Sequence, residues 1–456
     1  MLNIAIGISI LLYVIIIIAI TIYSRRNETE KKYISGNNKV SFLGTMSSQF
    51  IGSIDGSGLI TLIVLASSMY FGLYWLAIGF ACAFLLLSFQ VNRIRNSKYL
   101  TLNDFIEDRL GKRISYLTSV IILAVMFAFV ANLIYVCGLM FSTMLPIPLW
   151  FAILCIAAFV GAYVTIGGYA TVVNTDIFQM ILTLALMVGL LLYGSFASIG
   201  NMYPTFYTMG FQTTLGAFLF GFLVMYPLPY LWQRIFTAKS GTTAKRALYA
   251  LPVVYIIMYT LIIFLVISLF STFPEIGPET IIMSLLDGSV SVVYGALLSV
   301  LMLALIMSNL DSQAYMFSST LVSNIFRIDK DNQTTRYTKS IKVVLILLFI
   351  VATVLAMFIT NFVTFAINIT SLLFLLSPIV FLGVYTKKMT KAKDYMLAIS
   401  LIIGIVVYIL MFANGQFTSL LHNVIPTVVV GVFILVLFGV EKLLIHIAKK
   451  NRNTYK

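Results

Sequence analysis

The chain has 456 residues, of which 61% are hydrophobic and 10% charged, and its mean hydropathy is +1.04. A sequence this apolar buries its surface in lipid, which excludes an ordinary water-soluble domain. The formal charge is +14, but the basic residues are spread over short loops. That distribution indicates membrane topology and argues against a nucleic-acid-binding protein.

About thirteen apolar stretches are predicted to cross the membrane as helices. They cover residues 2–23, 43–70, 73–92, 114–142, 147–166, 173–198, 212–233, 247–271, 290–326, 338–360, 362–385, 394–413 and 423–440. If residue 1 lies outside the cell, all 29 Lys and Arg residues fall in cytoplasmic loops or at the cytoplasmic ends of spans, as the positive-inside rule expects. The sequence therefore predicts an all-α, multi-pass plasma-membrane protein with its N-terminus outside and its C-terminus in the cytoplasm.

Two spans read as interrupted helices. The second contains Gly52-Ser-Ile-Asp-Gly-Ser-Gly58, and the seventh contains Tyr226-Pro-Leu-Pro-Tyr230. Glycine and proline weaken helical hydrogen bonding, and carbonyls freed at membrane depth must face protein or water. Each interrupted span begins a block of five, and an odd number of crossings gives the two blocks opposite orientations. Matching interruptions in inverted repeats indicate the midplane site of a transporter.

This pattern divides the chain into four segments. They are a first helix with its loop (1–42), a first five-helix repeat (43–198), a second repeat (199–390), and two peripheral helices with a tail (391–456). No soluble domain is expected.

Away from the ends of the spans, three charged residues are predicted inside them, and all are aspartates: Asp55, Asp176 and Asp311. A carboxylate at this depth is costly unless a cation, water or hydrogen-bond donors meet it. Since no Lys, Arg or His is predicted in the same spans, a mobile cation is the expected partner. Ser308, Asp311 and Ser312 share one helical face, and Asp176 is predicted at a similar depth. Their oxygens suit a small alkali cation better than a transition metal.

Five stretches, in this order, resemble the sodium:solute symporter family. They are Ser53-Ile-Asp-Gly-Ser-Gly58, Thr165-Ile-Gly-Gly-Tyr-Ala170 with Asn174-Thr-Asp-Ile-Phe-Gln179, Gln233-Arg-Ile-Phe-Thr-Ala-Lys-Ser240, Met307-Ser-Asn-Leu-Asp-Ser312, and Pro378 with Lys387-Lys-Met-Thr390. The resemblance covers roughly residues 43–390. It implies the inverted-repeat fold first seen in the LeuT amino-acid transporter, with five helices in each repeat. It also implies sodium-coupled uptake of a small organic solute by alternating access.

The resemblance further implies residue roles for sodium, the expected coupling ion. For the main site it points to backbone carbonyls and side chains at Ser53, Asp55, Gly56, Leu305, Ser308 and Asn309. For a second cation site it points to Asp176, Asp311 and Ser312. Asn309 stands where the family usually has Ser or Thr, and Asp311 adds a charge where many members have none.

By analogy, the solute would lie between spans 2, 4, 7 and 11. The candidate solute-binding residues are Gln49, Ser57, Phe129, Asn132, Met225, Tyr226 and Asn368. Proline transporters of the family have Trp and Tyr where this chain has Gly221 and Met225, which argues against proline. The sequence does not identify the solute.

Two alternatives to the sodium symporter stay open. One is a proton-coupled carrier with Asp176 or Asp311 as the proton site, and the other is a membrane sensor that binds solute without transporting it. An enzyme is not expected, because no nucleophile–base pair is visible. The expected partners are a small solute, sodium and the lipid bilayer, without nucleic acid, and the chain is expected to act as a monomer.

Overall fold

The computed structural model describes residues 4–26, 29–96, 98–193, 210–273, 275–277, 280–286 and 291–454, without the side chains of residues 442–454. Within these ranges the regular structure is helical apart from one isolated β-bridge. The predicted boundary between the two repeats, at 198/199, lies outside the described residues. The helices of the first part are α1 (Ile4–Arg25), α2 (Glu30–Ser35), α3 (Phe42–Ile51), α4 (Gly56–Met69), α5 (Tyr74–Ile94), α6 (Leu102–Leu110), α7 (Lys112–Met144) and α8 (Leu149–Tyr193). Those of the second part are α9 (Phe211–Met225), α10 (Pro229–Thr237), α11 (Gly241–Thr272), α12 (Ile281–Leu286), α13 (Val292–Thr320), α14 (Thr334–Ala356), α15 (Phe362–Phe374), α16 (Ser377–Tyr385), α17 (Lys391–Ala413) and α18 (Ile425–Thr454).

The apolar helices are long enough for a multi-pass membrane protein. Among the described residues, 10 helices or helix runs can cross a membrane, or up to 11 if α9 and α10, bent by 46°, form one span. The all-helical, multi-pass architecture predicted from hydropathy is confirmed at this level.

The first predicted interruption lies between α3 and α4. Helix α3 ends at Ile51 and α4 begins at Gly56. Asp55 caps the new helix, because its carboxylate accepts hydrogen bonds from the Ser57 hydroxyl at 2.6 Å and the Gly58 N–H at 2.5 Å. An acidic N-cap satisfies free N–H groups and complements the positive end of the helix dipole. The interruption predicted here is confirmed.

The second interruption lies between α9 and α10. Pro229 occupies the first turn of α10, where its missing N–H costs no helical hydrogen bond. The chain turns over Tyr226–Leu228 and continues as a short buried helix. This interruption too is confirmed.

Helix α13 forms the centre of the molecule. Its residues from Leu298 to Met316 are buried on every side, and it packs against α7 and α8. Helix α1, by contrast, exposes Ile8, Leu12 and Ile15. The polar residues of α13 therefore face other helices and not lipid.

The segments flanking the two broken spans meet at one end. The Val40 N–H, just before α3, donates to the Thr237 carbonyl at the end of α10 (3.3 Å), and the Lys239 N–H donates to the Val40 carbonyl (2.9 Å). These two bonds make the isolated parallel bridge between Val40 and Ala238. The start of one broken span is thus tied to the end of the other through the main chain.

Candidate functional site

A buried charged cluster lies where α3, α8, α10 and α13 meet. Arg234 is 1% exposed, and its Nη2 lies 3.6 Å from Asp176 Oδ2 in an ion pair. The expectation that no basic side chain is available to neutralise the three aspartates is therefore wrong. Gln233 was expected to end the seventh span, but α10 runs on to Thr237 at an angle to α9 and carries Arg234 into the core.

Three hydroxyl groups complete the surroundings of this ion pair. Ser308 donates to Asp176 Oδ1 at 2.5 Å, and Arg234 Nη2 donates to Ser312 at 3.0 Å. Ser48, which the sequence did not single out, accepts from Arg234 Nε at 2.6 Å and donates to Asp176. The predicted convergence of Asp176 with the polar face of α13 is therefore seen in the structure.

Asp311 is the less satisfied acid of the cluster. Tyr163 donates to its Oδ2 at 3.1 Å, whereas Oδ1 is buried and has no hydrogen-bond partner in the described part of the chain. Asp311 interacts electrostatically with both Asp176 and Arg234. When ionised, two carboxylates and one guanidinium leave one uncompensated negative charge, so the cluster can accept one monovalent cation or proton.

A second arrangement joins the first helix interruption to α13. The Asn309 Nδ2 donates to three backbone carbonyls: Ile51 at 2.9 Å, Ile54 at 3.1 Å and Leu305 at 3.0 Å. Carbonyls from a broken membrane helix are the groups that coordinate coupling cations in transporters. These four residues are each at most 3% exposed, so this group of three carbonyls, the carbonyl cradle, is buried.

Two of the predicted carbonyl ligands, Ser53 and Gly56, are not among the three carbonyls that accept from Asn309. The Ser53 hydroxyl donates to the carbonyls of Gln49 and Phe50, and a Cβ at Gly56 would lie 2.3 Å from Ile306 Cγ1. Leu305 and Asn309 both take part in the cradle, and their role as sodium ligands stays a prediction. Ile51 and Ile54 were missed, because a carbonyl's direction depends on where the helix breaks and not on its side chain.

A cavity of about 130 Å³ lies beside the first interruption. It is bordered by Ser53, Ile54, Asp55, Ser57, Gly58, Thr61, Leu62, Leu65, Leu76, Phe80, Phe129, Phe220, Val224, Met225, Leu228, Tyr230, Tyr259, Asn309, Gln313, Ala366, Ile367, Thr370 and Leu373. Asp55 is the one charged side chain in this described lining, and five of the lining residues are Phe or Tyr. The cavity therefore combines one carboxylate with aromatic walls.

The predicted solute-binding residues divide into two groups. Ser57, Phe129 and Met225 line the cavity, whereas Gln49, Asn132, Tyr226 and Asn368 are not part of its lining. Tyr226 donates to Gln90 Oε1 at 3.1 Å, and the Asn368 carbonyl accepts from Tyr408 at 2.8 Å. Gln49 donates weakly to the Leu231 carbonyl at 3.5 Å. Asn132 is fully buried, and its amide has no hydrogen-bond partner in the described part of the chain.

Two residues of the cavity lining, Gln313 and Tyr230, were not predicted as solute-binding residues, although sequence features point to them. Gln313 follows Asn309 by one helical turn, and its buried Oε1 has no partner in the residues that the structure covers. Tyr230 directly follows Pro229 at the second interruption. Both positions could have been inferred from helical spacing and the break.

A family model for the sodium:solute symporter family matches residues 33–404. The chain belongs to the sodium:solute symporter family. The matched range contains both interruptions, the charged cluster and the cavity. No curated protein matches the sequence.

Solved structures of transporters share the fold of this symporter family member. A Na⁺-coupled sialic acid symporter in a substrate-bound outward-open state has a TM-score of 0.79 at 18% identity, with 94% of this chain and 96% of that chain covered. Mhp1, a nucleobase-cation-symport-1 family transporter, has a TM-score of 0.63 at 17% identity, covering 90% and 95%. A mutant of the Eremococcus coleocola manganese transporter has a TM-score of 0.56 at 14% identity, covering 88% and 93%. The structural neighbours are LeuT-fold transporters, as the resemblance implied.

Proposed function

We propose that this protein is a secondary active transporter of the plasma membrane that couples sodium entry to uptake of a small organic solute by alternating access. The observation that carries the proposal is the buried cluster of Asp176, Asp311 and Arg234, with its uncompensated charge and the unpartnered Asp311 Oδ1. A cation that binds there couples its electrochemical gradient to transport. One charge crossing 100 mV releases about 2.3 kcal/mol, enough for roughly 50-fold accumulation of a solute.

The solute site of this proposal is the 130 Å³ cavity. Asp55 gives it a negative charge, and Arg234, the buried cation of the neighbouring cluster, does not border it. A small neutral or positively charged solute suits such a cavity, because aromatic faces attract cations and a carboxylate repels anions. An anionic solute would be repelled by Asp55, and the described lining has no positively charged side chain to offset this repulsion.

The finer architecture is part of the same proposal. The Gly56–Ile94 run has 39 residues and Leu149–Tyr193 has 45, about twice the length that one crossing needs. The longer helix changes direction at Gly168, whose φ is 65°. Counting each run as two crossings and α9–α10 as one broken span gives thirteen, arranged as two five-helix repeats in residues 43–198 and 199–390. An odd count places the two termini on opposite sides of the membrane, and the basic loops favour an external N-terminus and a cytoplasmic C-terminus.

The first experiment is a thermal-stability screen of the purified protein, with NaCl or choline chloride, over amines, amino acids, sugars and carboxylates. We expect one solute class to raise the melting temperature only with sodium, because ligands that bind the same state stabilise each other. The identified solute is then tested for uptake into proteoliposomes. Uptake without sodium that follows a pH gradient would overturn sodium coupling and favour the proton-coupled carrier.

Asp55→Asn is the matched test of the solute site. Asparagine is as good an N-cap as aspartate, so the variant removes the charge and keeps the start of α4. We expect the solute concentration for half-maximal uptake to rise at least tenfold for a cationic solute. Asp331→Asn, a charge change on an exposed residue, serves as the control and should leave uptake unchanged.

A further inference from the structure

The carbonyl cradle around Asn309 has an unusual occupant. Three acceptors from two separate chain segments, Ile51 and Ile54 on one side and Leu305 on the other, converge on a single amino group at 2.9–3.1 Å. A carbonyl oxygen can only accept a hydrogen bond, so the network requires the NH₂ of Asn309, not its oxygen, to face the cradle. The three carbonyl oxygens therefore share the two partly positive hydrogens of this amino group.

An amino group in this position competes with a metal ion. Converging carbonyls bind a cation by replacing its hydration shell. Here the same oxygens are already turned toward a fixed donor that belongs to the chain. A sodium ion would have to displace the Asn309 amide or meet its partly positive hydrogens, and both cost binding free energy.

The neighbouring hydroxyl is directed at the charged cluster. Ser308, one residue before Asn309, donates to Asp176 Oδ1 at 2.5 Å and so belongs to the charged cluster. The cradle therefore holds three neutral dipoles and one donor, with no carboxylate among its hydrogen-bonding groups. The charged cluster, in contrast, retains a net negative charge and the buried, unpartnered Asp311 Oδ1.

We propose that the Asn309 amino group takes the place of a cation between the first helix interruption and α13, and that this transporter binds a single sodium ion, at the Asp176–Asp311 cluster. The proposal rests on sodium coupling as proposed above. It assigns Asn309 as the residue that determines ion stoichiometry. The amide ties the end of α3 and the interruption after it to α13 without an ion, a task that a mobile ion would perform only when bound.

The test measures binding of ²²Na⁺ itself to the purified protein, so it needs no identified solute. We expect one ion per wild-type protein. In Asn309→Ser, a hydroxyl replaces the amide, frees the three carbonyls and adds an oxygen ligand, so we expect two ions. Asp311→Asn should bind none, and Asn309→Ser/Asp311→Asn should bind one. In the control, excess unlabelled KCl replaces unlabelled NaCl as the competitor of ²²Na⁺. ²²Na⁺ that KCl displaces as well as NaCl does is counted as non-specifically bound.

The outcomes separate the two proposals. Two ions bound to the wild-type protein, or one ion that survives Asp311→Asn, would overturn the role of Asn309 while leaving sodium coupling intact. No binding of ²²Na⁺ to the wild-type protein or to any variant would instead overturn sodium coupling. If Asn309→Ser does not fold, Asn309→Thr and the wild-type stoichiometry decide the question.

Discussion

Arg234 and Asp176 stabilise each other in a place where neither is stable alone. The two side chains are 1% and 0% exposed, and Ser48, Ser308, Ser312 and Gln233 form further hydrogen bonds with them. A buried ion pair contributes little net stability over an apolar pair, but the loss of one partner leaves an uncompensated charge. The structural role of the pair is therefore tested by removing one charge or both.

We expect Arg234→Gln to lower the free energy of unfolding by about 3–5 kcal/mol, because it strands the Asp176 carboxylate. The double variant Arg234→Gln/Asp176→Asn should recover most of that loss. Denaturant titration in mixed micelles, followed by tryptophan fluorescence, measures both. Equal destabilisation of the single and double variants would show that Arg234 acts through packing, for example on the Tyr169 ring 4.6 Å away, and not through its charge.

For individual residues, the sequence predicted which side chains come together better than it predicted their hydrogen-bond and ion-pair partners. Asp176, Ser308 and Ser312 were found because helical spacing and depth place them together. Arg234 was missed because a hydropathy window ends at the first strong charge, and here the helix continues past it. Asp55 was predicted as a sodium ligand, and the structure shows it as a helix cap that borders the cavity.

Among the helices, α5 and α9 pack closely against each other and together form one wall of the cavity. Two glycines allow this contact. A Cβ on Gly79 would lie 2.2 Å from the Phe218 carbonyl oxygen, and one on Gly221 would lie 2.3 Å from that of Leu76. Since these obstacles are backbone atoms, no side-chain rotation can relieve them.

We therefore expect Gly221→Ala to push α9 away from α5 and to destabilise the protein by about 1–3 kcal/mol, the usual cost of overpacking. Gly189→Ala on α8 is the control, because the nearest atom to its added Cβ is 3.9 Å away. A methyl group there should be neutral or stabilise the helix by about 0.5–1 kcal/mol. Similar melting temperatures for the two variants would show that the contact is not a constraint.

The interruptions were predictable at this level because glycine, proline and a lone acid signal them locally. The angle between the resulting half-helices was not. Only packing places α10 so that it buries Arg234 and all its neighbours from Pro229 to Thr237. The exact carbonyls of the cradle follow from that packing too.

For the whole molecule, hydropathy and loop charge predicted a multi-pass membrane protein, the helix interruptions and the resemblance predicted a transporter, and the family match supports that class. The positions of long-range contacts could not be predicted, because no local pattern relates Ile51 to Asn309, 258 residues apart. The orientation in the membrane stays a prediction from the basic loops.

Single-cysteine labelling tests this orientation. In a background with Cys82, Cys137 and Cys155 replaced by alanine, we expect Gln416→Cys, in the exposed turn after α17, to react with a membrane-impermeant maleimide in intact cells. Lys388→Cys, in the exposed loop before α17, should react only after permeabilisation. The reverse pattern would place the N-terminus in the cytoplasm.

The bridge between Val40 and Ala238 bears on how such a molecule could change access. Two main-chain hydrogen bonds join the entry of α3 to the exit of α10, so these ends cannot separate without breaking both. Displacement of one broken helix is thereby transmitted to the other without any side chain as an intermediary. If the protein alternates access as proposed, we expect the two broken helices to move together, so that the solute cavity and the charged cluster change their exposure in one concerted step.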